Sequence, residues 1–269
     1  MKKNIRFAPH KTLQKIAHVA YGIILVIYLC NTIACNIDTN KPVPEPYKYK
    51  IKINFLPIVG TTPFSLNTPY ATGLGESFTA TKLKWYTSNW QANNTSVQVP
   101  VLQNYFLADA ATNTFSTTIQ AAAAQINKLS FLLGVDSLRN VSGVQEGALD
   151  PLNAMFWTWN SGYIMFKLEG TSPQSTLVNN KLEYHVGGFS GAFNALRTVN
   201  FNLPSNQLLT INPSRPSEID ITVNLQKLFS ATHNINIATN ASCHQPNNFS
   251  AKIADNYSQI FTIKTVRNY

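Results

Sequence analysis

The chain has 269 residues, 12% of them charged and 44% hydrophobic, with three Cys and a formal charge of +9. Five of its 21 Lys and Arg fall among residues 1–34, which carry no acid, so without that segment 16 basic residues face 12 acidic ones and the charge drops to +4. Most of the basic character is therefore a leader, and with no Lys/Arg run interleaved with aromatics the remainder argues against a nucleic-acid partner.

The leader reads as an export signal. Lys2, Lys3, Arg6, Lys11 and Lys15 precede an apolar run from Ala17 to Leu29, too short to cross a bilayer, and Thr32-Ile33-Ala34 then places a small residue before Cys35. This pattern predicts a signal peptide over 1–34 and acylation of Cys35, making the mature protein a lipoprotein of a bacterial cell envelope, on its periplasmic face or at the cell surface. Residues 35–46, with three prolines between Asp38 and Pro46, read as an extended tether to the membrane. Once Cys35 is acylated, Cys243 is left alone and no internal disulfide can form.

Residues 47–269 read as one all-β domain, a β-sandwich of short, mostly antiparallel strands with one or two short helices. Tyr47, Tyr49, Ile51, Ile53 and Phe55 alternate with three lysines and an asparagine, the period of a half-buried strand. Further strands are predicted over 82–88, 97–105, 128–133, 163–168, 182–186, 198–203, 218–225 and 259–266, separated by Gly, Pro, Asn and Ser. Ala121 to Ala124 fit a short helix or an extended edge equally well. Asp150-Pro151 is an N-cap followed by proline at the first helical position, which predicts a short helix turning Leu152 and Met155 inward.

Candidate chemistry concentrates between Phe131 and Gly188. Asp136, Ser137, Asn140 and Asp150, spaced by Gly143 and Gly147, could wrap Ca²⁺ with oxygen ligands, although turn capping explains the same residues. Trp157 and Trp159 are two apart, so a strand would aim both at one face, where core packing competes with a cofactor role. No Gly-x-Ser-x-Gly elbow, His-Glu-x-x-His or Gly-rich phosphate loop occurs, and the expectation is a protein without enzymatic activity.

Certain motifs carry a family resemblance. They are Phe-Leu-Leu-Gly-Val-Asp-Ser from Phe131, Gly-Ala-Leu-Asp-Pro from Gly147, Met-Phe-Trp-Thr-Trp from Met155, and His-Val-Gly from His185. With Ile53-Asn54-Phe55, the Trp-Tyr-Thr-Ser-Asn run from Trp85, and the stretch from Ile253 to Phe261, the chain resembles the MbnP domain family across residues 49–267. The resemblance implies an exported β-rich protein with a mononuclear Cu(I) site held by histidines, beside a tryptophan that a partner dihaem enzyme oxidises to kynurenine. His185 matches the first histidine of that pattern. His244 is preferred to His233 as the second, and Cys243 is a possible third soft ligand. Glu183 and Tyr184 stand where the family would place the modified tryptophan, so Trp157 or Trp159 could serve only if the fold brings them to His185.

The leading expectation is thus a lipid-anchored copper-binding protein for acquisition, storage or delivery. The competing one is a surface module that recognises sugar or protein through exposed Trp85, Tyr86 and Trp90. Ring nitrogens of His185 and His244 within about 4 Å of each other would favour metal, since metal–imidazole bonds are about 2 Å.

Overall fold

The computed structural model describes residues 47–269 except 95–96, 100, 103–104, 144, 159–161 and 204–208. The expected signal peptide, Cys35 and its acylation, the tether and Trp159 lie outside the described residues. Within them the chain forms two facing β-sheets, the sandwich expected from the alternation.

The first sheet is built on β1 (Tyr49–Val59), which pairs antiparallel with β3 (Ser116–Ala121) and parallel with β9 (Ser217–Asn224), itself paired with β11 (Phe261–Arg267). Ile51, Ile53 and Phe55 point into the core and Lys50 and Lys52 outward, as a period of two requires. The second sheet runs β8 (Arg197–Asn202), β4 (Lys128–Leu133), β2 (Ser77–Asn94), β6 (Gly162–Thr171), β7 (Lys181–Gly187) and β10 (Ser242–Cys243). A short strand β5 (Phe156–Thr158) pairs with the start of β6.

The core lies between the sheets. Phe55 and Phe261 from the first meet Trp85 and Phe131 from the second, with Phe55 edge-on to Trp85 at 5.8 Å and Phe131 edge-on to Phe261 at 5.2 Å. Such T-shaped contacts set the positive ring edge on the negative face and add to the burial of large rings.

Trp85, Tyr86 and Trp90 do not form an exposed patch, because they are 0%, 0% and 3% accessible. They sit on β2, the 18-residue central strand, where both faces are covered. Trp85 stacks on Phe115, while the neighbouring Tyr86 reaches the other face and donates its hydroxyl to Ala148 O at 2.9 Å. A central strand buried on both sides cannot display aromatics. Leu152 is 91% exposed, not inward, because the turn at Pro151–Asn153 is a single 3-10 turn closed by left-handed Ala154. Asp150 does cap that turn and Met155 is buried, as expected. Of the 121–124 stretch only Ala121 belongs to a strand, β3; Ala122 to Ala124 bend toward a short strand at Gln125–Ile126, so neither the short helix nor a continuous extended edge forms. The single strand expected over 97–105 is divided into Val97–Val99 and Val101–Leu102, and Pro100 offers no N–H to a continuous ladder.

Among the described residues three short α-helices join the strands: α1 (Ser137–Asn140), α2 (Lys227–Ser230) and α3 (Asn248–Tyr257). The last was not expected. Asn247 and Ser250 form a reciprocal capping box, and Ile253, Ala254 and Tyr257 bury one helical face.

Candidate metal site

On β7 the alternation sends Leu182, Tyr184 and Val186 into the core and turns Glu183 and His185 to the outer face of the second sheet. β10 lies beside β7 in parallel, with Glu183 opposite Ser242 and Tyr184 opposite Cys243. One step further along the same register, His244 arrives next to His185. Their Nδ1 atoms are 3.2 Å apart, and the rings meet edge to face with centroids 4.6 Å apart.

Both imidazoles are oriented from behind. His185 Nε2 lies 2.9 Å from Glu169 Oε1, and His244 Nε2 lies 3.4 Å from Glu183 Oε2. An ionised carboxylate only accepts, so His185 donates from Nε2 to Glu169 and keeps a lone pair on Nδ1, while Glu183 stands at ion-pair distance from His244 Nε2. The lone pair on His185 Nδ1 therefore faces His244 Nδ1 across 3.2 Å, where it can accept from a His244 Nδ1–H or share an electrophile with it. An ion bonded to imidazole at about 2.0 Å spans such a gap with a bent geometry. Burial and then the neighbouring Lys167 charge push His185 below its ordinary pKa, which keeps it neutral and available as a donor.

The carboxylate behind His185 is itself anchored. β6 sets Lys167 opposite His185 and Glu169 opposite Glu183, and β2 sets Lys84 opposite Lys167 and Lys82 opposite Glu169. Lys82 Nζ is 2.7 Å from Glu169 Oε2, and Lys167 Nζ is 3.7 Å from Glu169 Oε1. Burial alone would raise the Glu169 carboxyl, but the bonds from Lys82 and His185 hold it below the usual range.

The family model of MbnP matches residues 48–245, a span that contains both histidines. The chain belongs to the MbnP family. Among solved structures it is similar to MbnP from Methylosinus trichosporium, at 16% identity and a TM-score of 0.51, covering 80% of this chain and 97% of that one. At that identity the likeness speaks for the fold. No curated protein matches the chain.

The remaining residues singled out in this MbnP-family chain are distributed as follows. Cys243 is opposite Tyr184, so its side chain turns to the core face of β10, away from the two histidines, and burial pushes its thiol up to about 11. His233 belongs to a different group: its Nε2 is 3.0 Å from Asp255 Oδ2, whose other oxygen pairs with Arg197. Asp255 sits on α3, and this trio ties the helix to the loop after α2 and to β8. Among the described residues, no group of three or more His, Cys, Asp or Glu is placed to hold one ion.

Trp157 packs against Gly187 on β7. A Cβ on Gly187 would lie 2.6 Å from Trp157 Cζ3, so the indole rests on the glycine two residues beyond His185, on the same side of β7. Lys84 and Lys167 contribute to this placement, donating to Asn153 O and Ala154 O just ahead of β5. The Ca²⁺ candidates each have another partner. Asp136 Oδ1 caps α1 by accepting from Arg139 N, and Asp150 Oδ1 accepts from Leu152 N. Buried Asn140 donates to Val135 O and accepts from Tyr163 N at 2.8 Å. Glu169 was missed from sequence because nothing local marks it; only the cross-strand register brings it to His185.

Proposed function

We propose that this protein binds copper, with Cu(I) held between Nδ1 of His185 and Nδ1 of His244. The observation that carries the reading is the pair of inward-facing nitrogens 3.2 Å apart, each backed by a carboxylate on its far side. Two neutral imidazoles suit a soft, monovalent d¹⁰ ion that tolerates few ligands, and Trp157 on Gly187 would shield the ion from water. Family membership supports the same reading. The export signal and Cys35 in the sequence complete it as a non-enzymatic lipoprotein of the cell envelope, acquiring, storing or delivering copper. By the family resemblance the partner is a dihaem enzyme that oxidises a tryptophan, and the packing of Trp157 on Gly187, two residues beyond His185, supports Trp157 as that tryptophan.

The test is competition with a chromophoric Cu(I) chelator under anaerobic conditions. About one equivalent of Cu(I) retained by the protein, and lost in His244→Ala, is the expected result. Complete transfer of copper from the unmutated protein to the chelator would overturn the proposal.

A further inference from the structure

Lys167 is 6% accessible, on the same outer face as the histidine pair, directly across the strand pairing from His185. A lysine so placed is unusual, since burial of an ammonium is costly unless it is paired. It is held by Ala154 O and by Glu169 Oε1, the same oxygen that accepts from His185. The charged groups acting on it are Glu169, Lys82 and Lys84. Lys84 is matched by Asp109 at 2.9 Å and Lys181 by Glu183 at 3.7 Å, while Lys82 and Lys167 share the single carboxylate of Glu169. Lys82 and Lys181 are both half exposed and screened by water, so buried Lys167, opposite His185, is the cation that acts on the site most directly.

We infer that Lys167 is a specificity-determining residue: its buried ammonium disfavours divalent ions at the His185–His244 pair and leaves monovalent copper as the preferred cargo. This rests on the copper-binding reading above. Repulsion grows with the charge of the ion, so Zn²⁺ suffers twice what Cu(I) does. For a separation of ~10 Å and an effective dielectric of ~20, the extra unit of charge is worth on the order of ten-fold in relative affinity.

The experiment compares the ratio of Zn²⁺ to Cu(I) dissociation constants in the unmutated protein, Lys167→Met, Lys167→Arg and Glu169→Gln. Reading a ratio between variants cancels each metal's own coordination preference. Lys167→Met is expected to favour Zn²⁺ by about ten-fold relative to Cu(I). Lys167→Arg, which keeps the charge, should leave the ratio unchanged, and Glu169→Gln should shift it the opposite way from Lys167→Met. A residue that merely supports the fold would move both metals together. Equal shifts in Lys167→Met and Glu169→Gln, or no shift in either, would therefore overturn the inference while leaving Cu(I) binding intact. Failure of the unmutated protein to bind Cu(I) would instead remove the reading on which it depends.

Discussion

Glu169 Oε1 stands 2.9 Å behind His185 Nε2, and this contact decides which nitrogen of His185 faces His244. The two histidines are 59 residues apart in sequence and meet only because β10 runs parallel to β7.

A site made of two facing nitrogens acts as a unit. Either His185→Ala or His244→Ala is expected to weaken Cu(I) binding by about a hundred-fold or more, and the double variant should be little worse than either single one. Competition titrations on the three variants measure this. Nearly additive losses would mean that the two imidazoles do not share an ion.

Cys243 faces the core with its thiol pushed up to about 11, so the thiolate is scarce at neutral pH. Cys243→Ala should retain Cu(I) as tightly as the unmutated protein. Native Cys243 should also react with maleimide far more slowly than after unfolding in urea, as mass spectrometry of the labelled protein would reveal.

Asn140 joins α1 to β6 through bonds to Val135 O and from Tyr163 N, and Gly162 beside it has no Cβ because one would collide with Asn140 Oδ1. Replacing Asn140 by Ala strands a buried N–H and a buried C=O, at a cost of roughly 2–4 kcal/mol. Urea unfolding should show that loss, and addition of Ca²⁺ or a chelator should leave the unfolding midpoint where it was.

Gly187→Ala places a methyl group 2.6 Å from Trp157 Cζ3 and 2.8 Å from Tyr163 O. Backbone on one side and an indole on the other leave little room, so a destabilisation of about 1–3 kcal/mol is expected. The near-ultraviolet circular dichroism should change as Trp157 is displaced, and an unchanged spectrum with full stability would contradict the packing described.

Stability should fall in acid in two stages. His185 is held below its ordinary 6.5, so as pH drops through about 6.5 the unfolded chain takes up its proton first and stability declines until the folded histidine also titrates. Asp255 would be raised by burial, but Arg197 and His233 hold it below its ordinary 3.8. For Asp220 the bond from Arg267 is the main cause of the same lowering. Their stabilisation is present above about 3.8 and is lost as pH falls through the lower, folded values. Melting temperatures from pH 2 to 8 should show both limbs, and Asp255→Asn should reduce the lower one.

The strands were legible because their signal is local. Ile51, Ile53 and Phe55 on β1 and Leu182, Tyr184 and Val186 on β7 each declare a face through a period of two, whatever they pack against. The same period already assigned His185 to the face opposite Tyr184. Helix α3 could also have been found from the Asn247–Ser250 box and the spacing of Ile253 and Tyr257.

What the sequence by itself determined is therefore the two-sided pattern of each strand, the family motifs, and the identity of His185 and His244 as candidates. The tertiary structure alone decided their meeting, the carboxylates of Glu169 and Glu183 behind them, the inward turn of Cys243 and the burial of Trp85 and Tyr86. The physical reason is that side-chain direction follows from backbone periodicity within a few residues. Which strands pair, in what register, and whether a second layer covers the outer face depend on contacts between segments distant in the chain, which no local pattern encodes.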